Sequence, residues 1–206
     1  PPETPAAGPA TCDNLVALEV PAMMGNLGAP VRGCLEKSLA ANASQTSKDK
    51  ISRVLIADAE ARRDQGEWEK LMKRHLESID RSDPNLCFKY ALHLSRGGVG
   101  RATGVIRWAD YALENKQQWE GATYIKNVSG LYKIRAQAAN RIWEDAEKKV
   151  VEDRSEENES KAERARGQTK DFAREWLDYA RASGQDTATA LALCVSAAGN
   201  KEFCGG

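Results

Sequence analysis

Apolar positions recur at helical spacing over most of the chain. Trp68, Leu71, Met72, His75, Leu76 and Ile79 fall at i, i+3, i+4, i+7, i+8 and i+11, one stripe of an amphipathic helix. Ile51, Val54, Leu55 and Ala59 keep the same period upstream. This spacing predicts helices over about 48–64 and 67–81, with Ser47 as the N-cap of the first and Gly66 as its left-handed stop. Ser82-Asp83-Pro84 then reads as a cap followed by proline at the first helical position. The helix it opens carries Cys87, Tyr90, Ala91 and Leu94 on one face and is broken by Gly97, Gly98 and Gly100. Ala102, Val105, Ile106, Ala109, Ala112 and Leu113 mark the next.

These four helices read as one hairpin written twice. A shift of 34 residues lays Gly66 on Gly100, and Leu71, Met72 and Ile79 on Val105, Ile106 and Leu113. It also lays Ala57 on Ala91, Val54 on Phe88 and Ile56 on Tyr90. The inter-helix glycine, Trp68 two residues after it, the small Ser78 and Ala112, and the Asp83-Pro84 exit resemble a tetratricopeptide repeat. The pattern departs from that family at Leu71 and Val105, where a small residue is usual, and at His93. Over about residues 51–114, the resemblance implies an all-α, α-α superhelix of antiparallel helix pairs. It also implies that the first helix of each pair lines a concave surface for protein segments.

The flanks predict caps and a hairpin. Residues 12–46 read as two short helices, the second starting near Pro30, and form an N-terminal cap. Residues 47–116 hold the two repeats. From Gln117 to Val151 the helical pattern is unbroken through Tyr124, Val128, Leu131, Tyr132, Ala138, Ala139, Ile142 and Trp143, a single long helix. The run 152–171 alternates in charge and is a solvated helical arm, a turn plus helix, or a mobile loop. A turn near Arg154–Asn158 would return a helix over about 160–182, completing a long hairpin at 117–183. Residues 184–206 form a capping helix and a final turn, so 12–206 reads as a single domain. Residues 1–11, rich in proline and alanine, read as a flexible tether. It would remain after removal of a signal peptide or lipid-anchored leader, or mark an artificial boundary.

Cysteine spacing bears on the compartment. Cys12 with Cys34 and Cys194 with Cys204 bracket the two caps, and Cys87 sits alone on a helix. Two terminal disulfides and one buried thiol imply an oxidising site, periplasmic, secreted or outer-membrane-anchored; five thiols would imply the cytosol. Thirty basic residues balance thirty acidic ones, which argues against nucleic acid as partner. No apolar run is long enough to span a bilayer.

Catalytic motifs are missing from the sequence. There is no GxSxG, HExxH or GxxxxGK[ST], and no CxxC pair, so neither an enzyme nor a metal or cofactor is expected. His75 reads as a core or edge residue because no carboxylate or cysteine accompanies it in the pattern. Lys70, Lys73, Arg74 and His75 sit among Glu67, Glu69 and Glu77 and read as an ordinary helix face. Three glycosylation sequons start at Asn42, Asn127 and Asn158, the second inside a predicted helix.

The resulting expectation is a non-enzymatic scaffold or adaptor of a bacterial cell envelope, serving motility, secretion or outer-membrane assembly. Its contact residues would be Arg62, Lys89, Arg96, Tyr124 and Tyr132. Two competing readings are a secreted factor that binds a host or prey surface, and a small-ligand carrier or enzyme. The carrier would have a pocket between the long helix and the repeats, built from Trp108, Trp119 and Trp143.

Overall fold

A computed structural model describes residues 12–41 and 43–205; the N-terminal tether and Asn42 of the first sequon lie outside them. Every regular element among the described residues is helical. The chain divides into two compact units, Pro1–Arg81 and Ser82–Gly206.

The first unit holds α1 (Leu15–Met23), α2 (Ala29–Ala40), α3 (Gln45–Ala61) and α4 (Gln65–Ser78). Asn14 caps α1 by accepting from the amide of Ala17, and Pro30 sits in the first turn of α2. A Cys12–Cys34 disulfide ties the start of α1 to α2. Between them Gly25 adopts φ +69°, with the backbone of Arg62 3.0 Å from where a Cβ would stand. Glycine is needed there both for its torsion and for its lack of a side chain.

Two predicted boundaries move. The cap of α3 is Ser44, whose hydroxyl accepts from the amide of Ser47, so the helix starts three residues before the expected 48. The reversal after α3 is made by Arg63 at φ +58° and not by Gly66. Asp64 then caps α4 by accepting from Glu67 N at 3.1 Å. That cap draws Gly66 into the first helical turn, because an Asp N-cap is a stronger start signal than a glycine is a stop.

Polar links join cap to hairpin. Asp58 on α3 is fully buried. It accepts from Leu27 N at 3.1 Å and from Arg62 Nε at 2.8 Å, and Arg32 approaches it to 3.7 Å. On the other side Arg74 of α4 donates two bonds, of 2.8 and 2.9 Å, to the Glu36 carboxylate of α2.

The second unit holds α5 (Pro84–Ser95), α6 (Ala102–Glu114), α7 (Gly121–Glu152), α8 (Glu156–Ala182) and α9 (Ala188–Ala198). Short 3-10 turns at Val99–Arg101 and Lys116–Gln118 precede α6 and α7. Each helix from α5 to α9 packs on the next, and α5 also meets α7, at Gly130, where a Cβ would stand 3.3 Å from the Phe88 ring. The long helix begins at Gly121, not Gln117, because Gly121 takes φ +53° and separates it from the 3-10 turn. Its 32 residues span about 48 Å at 1.5 Å each. The charged run after it resolves into a turn plus helix: Ser155 caps α8 by accepting from Asn158 N, with Glu156, Glu157 and Glu159 in the dipole-favoured first turn. The Cys194–Cys204 disulfide folds the last turn onto α9, and both sulfurs join a core with Ala136, Ala173, Trp176 and Leu177.

The two hairpins share a buried pattern in their second helices. Trp68, Leu71, Met72 and His75 are buried in α4, and Ala102, Val105, Ile106 and Ala109 are buried in α6 at the predicted shift. In the first helices the correspondence slips by two residues. There Ile51, Val54, Leu55 and Asp58 match Cys87, Tyr90, Ala91 and Leu94.

Candidate functional site

Among the described residues of the first unit, one helix face is exposed. Val16, Val20 and Met23 of α1 and its C-cap Met24 are 64–75% exposed, at the i, i+4, i+7 and i+8 positions of a single stripe. The sequence LVALEVPAM is apolar nearly all round, so packing one side on α3 buries Ala22 and strands the other side in solvent. Soluble proteins seldom leave such contiguous faces without use. A groove of about 510 Å³ runs between α1 and α3. Leu15, Val16, Ala22 and Met23 on one side and Val54 and Ala57 on the other give it apolar walls. Its charged lips differ in sign: Asp13 just before α1 and Glu19 on it, Lys50 and Arg53 on α3.

Next to this groove lies a polar cluster. Arg53 Nε bonds both carboxylate oxygens of Asp49, at 2.8 and 3.0 Å, and its Nη2 lies 3.6 Å from Asp80. His75 is fully buried on α4, with Nε2 3.7 Å from Asp49 Oδ1. The antiparallel α3–α4 pairing brings the start of one helix beside the end of the other. After α4 the amides of Ile79 and Asp80 both bond the carbonyl of His75, which turns Asp80 back over the last helical turn. The sequence reading that no carboxylate accompanies His75 is therefore corrected. Asp49 lies 26 positions upstream and Asp80 past the helix end, so neither shares the apolar stripe that carries His75.

The sequence-predicted contact residues have different surroundings. Arg62 is held by Asp58 and by Asp64, at 2.8 and 3.2 Å, which makes it part of the cap's attachment. Lys89 and Arg96 are exposed on and just beyond α5. Tyr124 and Tyr132 lie two turns apart on α7, half-buried. The Tyr132 ring packs 5.2 Å from that of Tyr179, and burial, helped by the Tyr124 and Tyr132 phenols, raises Tyr179 above its usual pKa.

The three tryptophans of the carrier reading have separate surroundings. Trp108 is buried between Tyr90 and Tyr111, Trp119 meets the Phe88 edge and donates to Asn85, and Trp143 donates to Glu147. None lines the α1–α3 groove or a cleft of about 480 Å³ between the far ends of α7 and α8. Of the sequons, Asn127 is buried within α7, and the Asn158 amide bonds the Asp153 carbonyl.

No protein-family model, curated protein or solved structure matches the chain. No described helix is long and apolar enough to cross a membrane. The two disulfides point to an oxidising, non-cytoplasmic compartment.

Proposed function

We propose that this protein is a non-enzymatic helical interaction module of the tetratricopeptide-like kind, serving as a scaffold or adaptor in a bacterial cell envelope. Its α1–α3 groove takes an amphipathic helical segment of a partner protein. The exposed stripe of α1 beside that groove carries the reading. A helix of nine residues would not hold its shape alone in water, and the Cys12 disulfide and the Asn14 cap fix it in advance of binding. The lips specify the occupant: an apolar stripe seated in the groove, with basic residues toward Asp13 and Glu19 and acidic ones toward Lys50. An anionic membrane fits poorly, since α1 carries Glu19 and no cation.

Selection from a displayed library of amphipathic helical peptides tests this reading. Enriched sequences should carry that stripe and charge order, and V20E or M23E should lower their affinity at least tenfold. Peptides that bind V20E unchanged would overturn it. So would a concentration-dependent dimer dissolved by V20E, or partition of the protein into phosphatidylcholine vesicles.

A further inference from the structure

We propose that Asp49, His75 and Asp80 form a binding site for a divalent transition-metal ion of the zinc class. One ligand atom from each lies within 4.8 Å of the others. The His75 Nε2–Asp49 Oδ1 separation of 3.7 Å is too long for a hydrogen bond. It is close to the roughly 3.3 Å between two ligands on a tetrahedral ion with bonds of about 2.0–2.1 Å. One imidazole nitrogen with two carboxylate oxygens is a donor set for zinc, cobalt or manganese, whereas calcium and magnesium favour oxygen alone.

The three ligands come from differently anchored places. His75 is rigid in the core of the first unit. Asp49 sits one turn inside α3, and Asp80 sits on the turn after α4, where rotation of its side chain can close the remaining distance. Both carboxylates keep part of their surface in solvent, 28% and 32%, so the ion has an entry path and water can complete its coordination.

Arg53 now supplies the cation between the two carboxylates. Its side chain is 38% exposed and can swing outward. The guanidinium and the metal therefore compete for one pair of charges, which gives the site a signature that adventitious surface binding lacks. Neutralising Arg53 should strengthen metal binding, where removal of a structural ion pair would do nothing for it.

The experiment is a titration of the full, tag-free chain, in a C87S background that removes its one thiol. Cobalt is followed by its visible d–d bands, and zinc by competition with a chromophoric chelator. One equivalent should bind at micromolar or tighter affinity, with neither calcium nor magnesium competing. D49N and D80N should each weaken binding at least tenfold while melting normally in chelator, and R53Q should tighten it several-fold. H75Q is the fourth variant and is scored only if its circular dichroism is native. Binding weaker than 100 µM, binding unchanged in D49N and D80N, or weakening by R53Q would each overturn the site. V20E, which tests the groove, should leave metal affinity intact, so the two readings fail separately.

Discussion

Arg135 of α7 donates to Asp110 of α6 at 2.7 Å, and its other terminal nitrogen holds Glu175 of α8. Its guanidinium also lies over two rings, 4.2 Å from the Phe172 centroid and 5.2 Å from that of Tyr132. One side chain, 7% exposed, therefore joins three consecutive helices of the second unit. Removing it frees two carboxylates that can rehydrate, so the main loss is packing and the cation–ring contacts. R135A should cost about 2–4 kcal/mol in urea unfolding, and R135M, which keeps the apolar stem, about half of that.

The Asp58 carboxylate predicts a larger local effect than its surface neighbours. D58A leaves the buried amide of Leu27 without its acceptor and takes from Arg62 the closer of its two carboxylates, and should destabilise by about 3 kcal/mol. D58N keeps one acceptor oxygen and should cost less. R62A should lower stability in the same assay while leaving peptide capture by the groove unchanged, since Arg62 works inward.

Glu36 links stability to pH. Its hydrogen bonds from Arg74 hold its pKa below the usual 4.5, against a smaller opposing effect of burial. A carboxylate whose folded pKa is depressed adds stability above its unfolded pKa, and loses it as pH falls through the folded value. Wild-type protein should therefore lose stability below about pH 4.5 relative to E36Q, and the two unfolding curves should converge in stronger acid. Both side chains are more than a third exposed, so at neutral pH the difference should be only about 0.5–1 kcal/mol, shrinking in salt.

Thiol chemistry tests the compartment. Denatured, unreduced protein purified from its native source should titrate one thiol per chain, that of Cys87, and reduction should raise the count to five. Five thiols before reduction would place the protein in a reducing compartment. The C12S/C34S pair should lose about 3 kcal/mol by loop entropy, and should melt α1 before the rest of the first unit.

Much of this architecture is legible in the sequence because it rests on local periodicity. The stripe of α4, the Asp83-Pro84 start of α5 and the disulfide pairs depend on near neighbours, and each stands where the spacing puts it. Boundaries that depend on competing caps moved, at Ser44 and at Asp64. The candidate site was mostly illegible for a topological reason. Asp49, His75 and Asp80 meet only once α3 and α4 are antiparallel, and periodicity along one helix does not join them. The groove left a weaker trace: LVALEVPAM is too apolar on every side for so short a helix, a signal that something must cover it. The residue types Arg and Tyr in a helical pattern say nothing about what each side chain holds. Arg62 is occupied by its near neighbours Asp58 and Asp64, and Tyr132 by Tyr179 on the next helix.

The α7–α8 hairpin runs out of packing before it runs out of helix. Beyond Ala139 no residue of α7 is buried, and toward its own start α8 has only Ala162 and Ala165 inside. Backbone amides there have little buried packing behind their helical hydrogen bonds, so isotope exchange should sweep inward from Asp153, fastest at the bend and slowest near Val128 and Leu177. The rod would act as a built-in ruler of opening energy, graded along its own length.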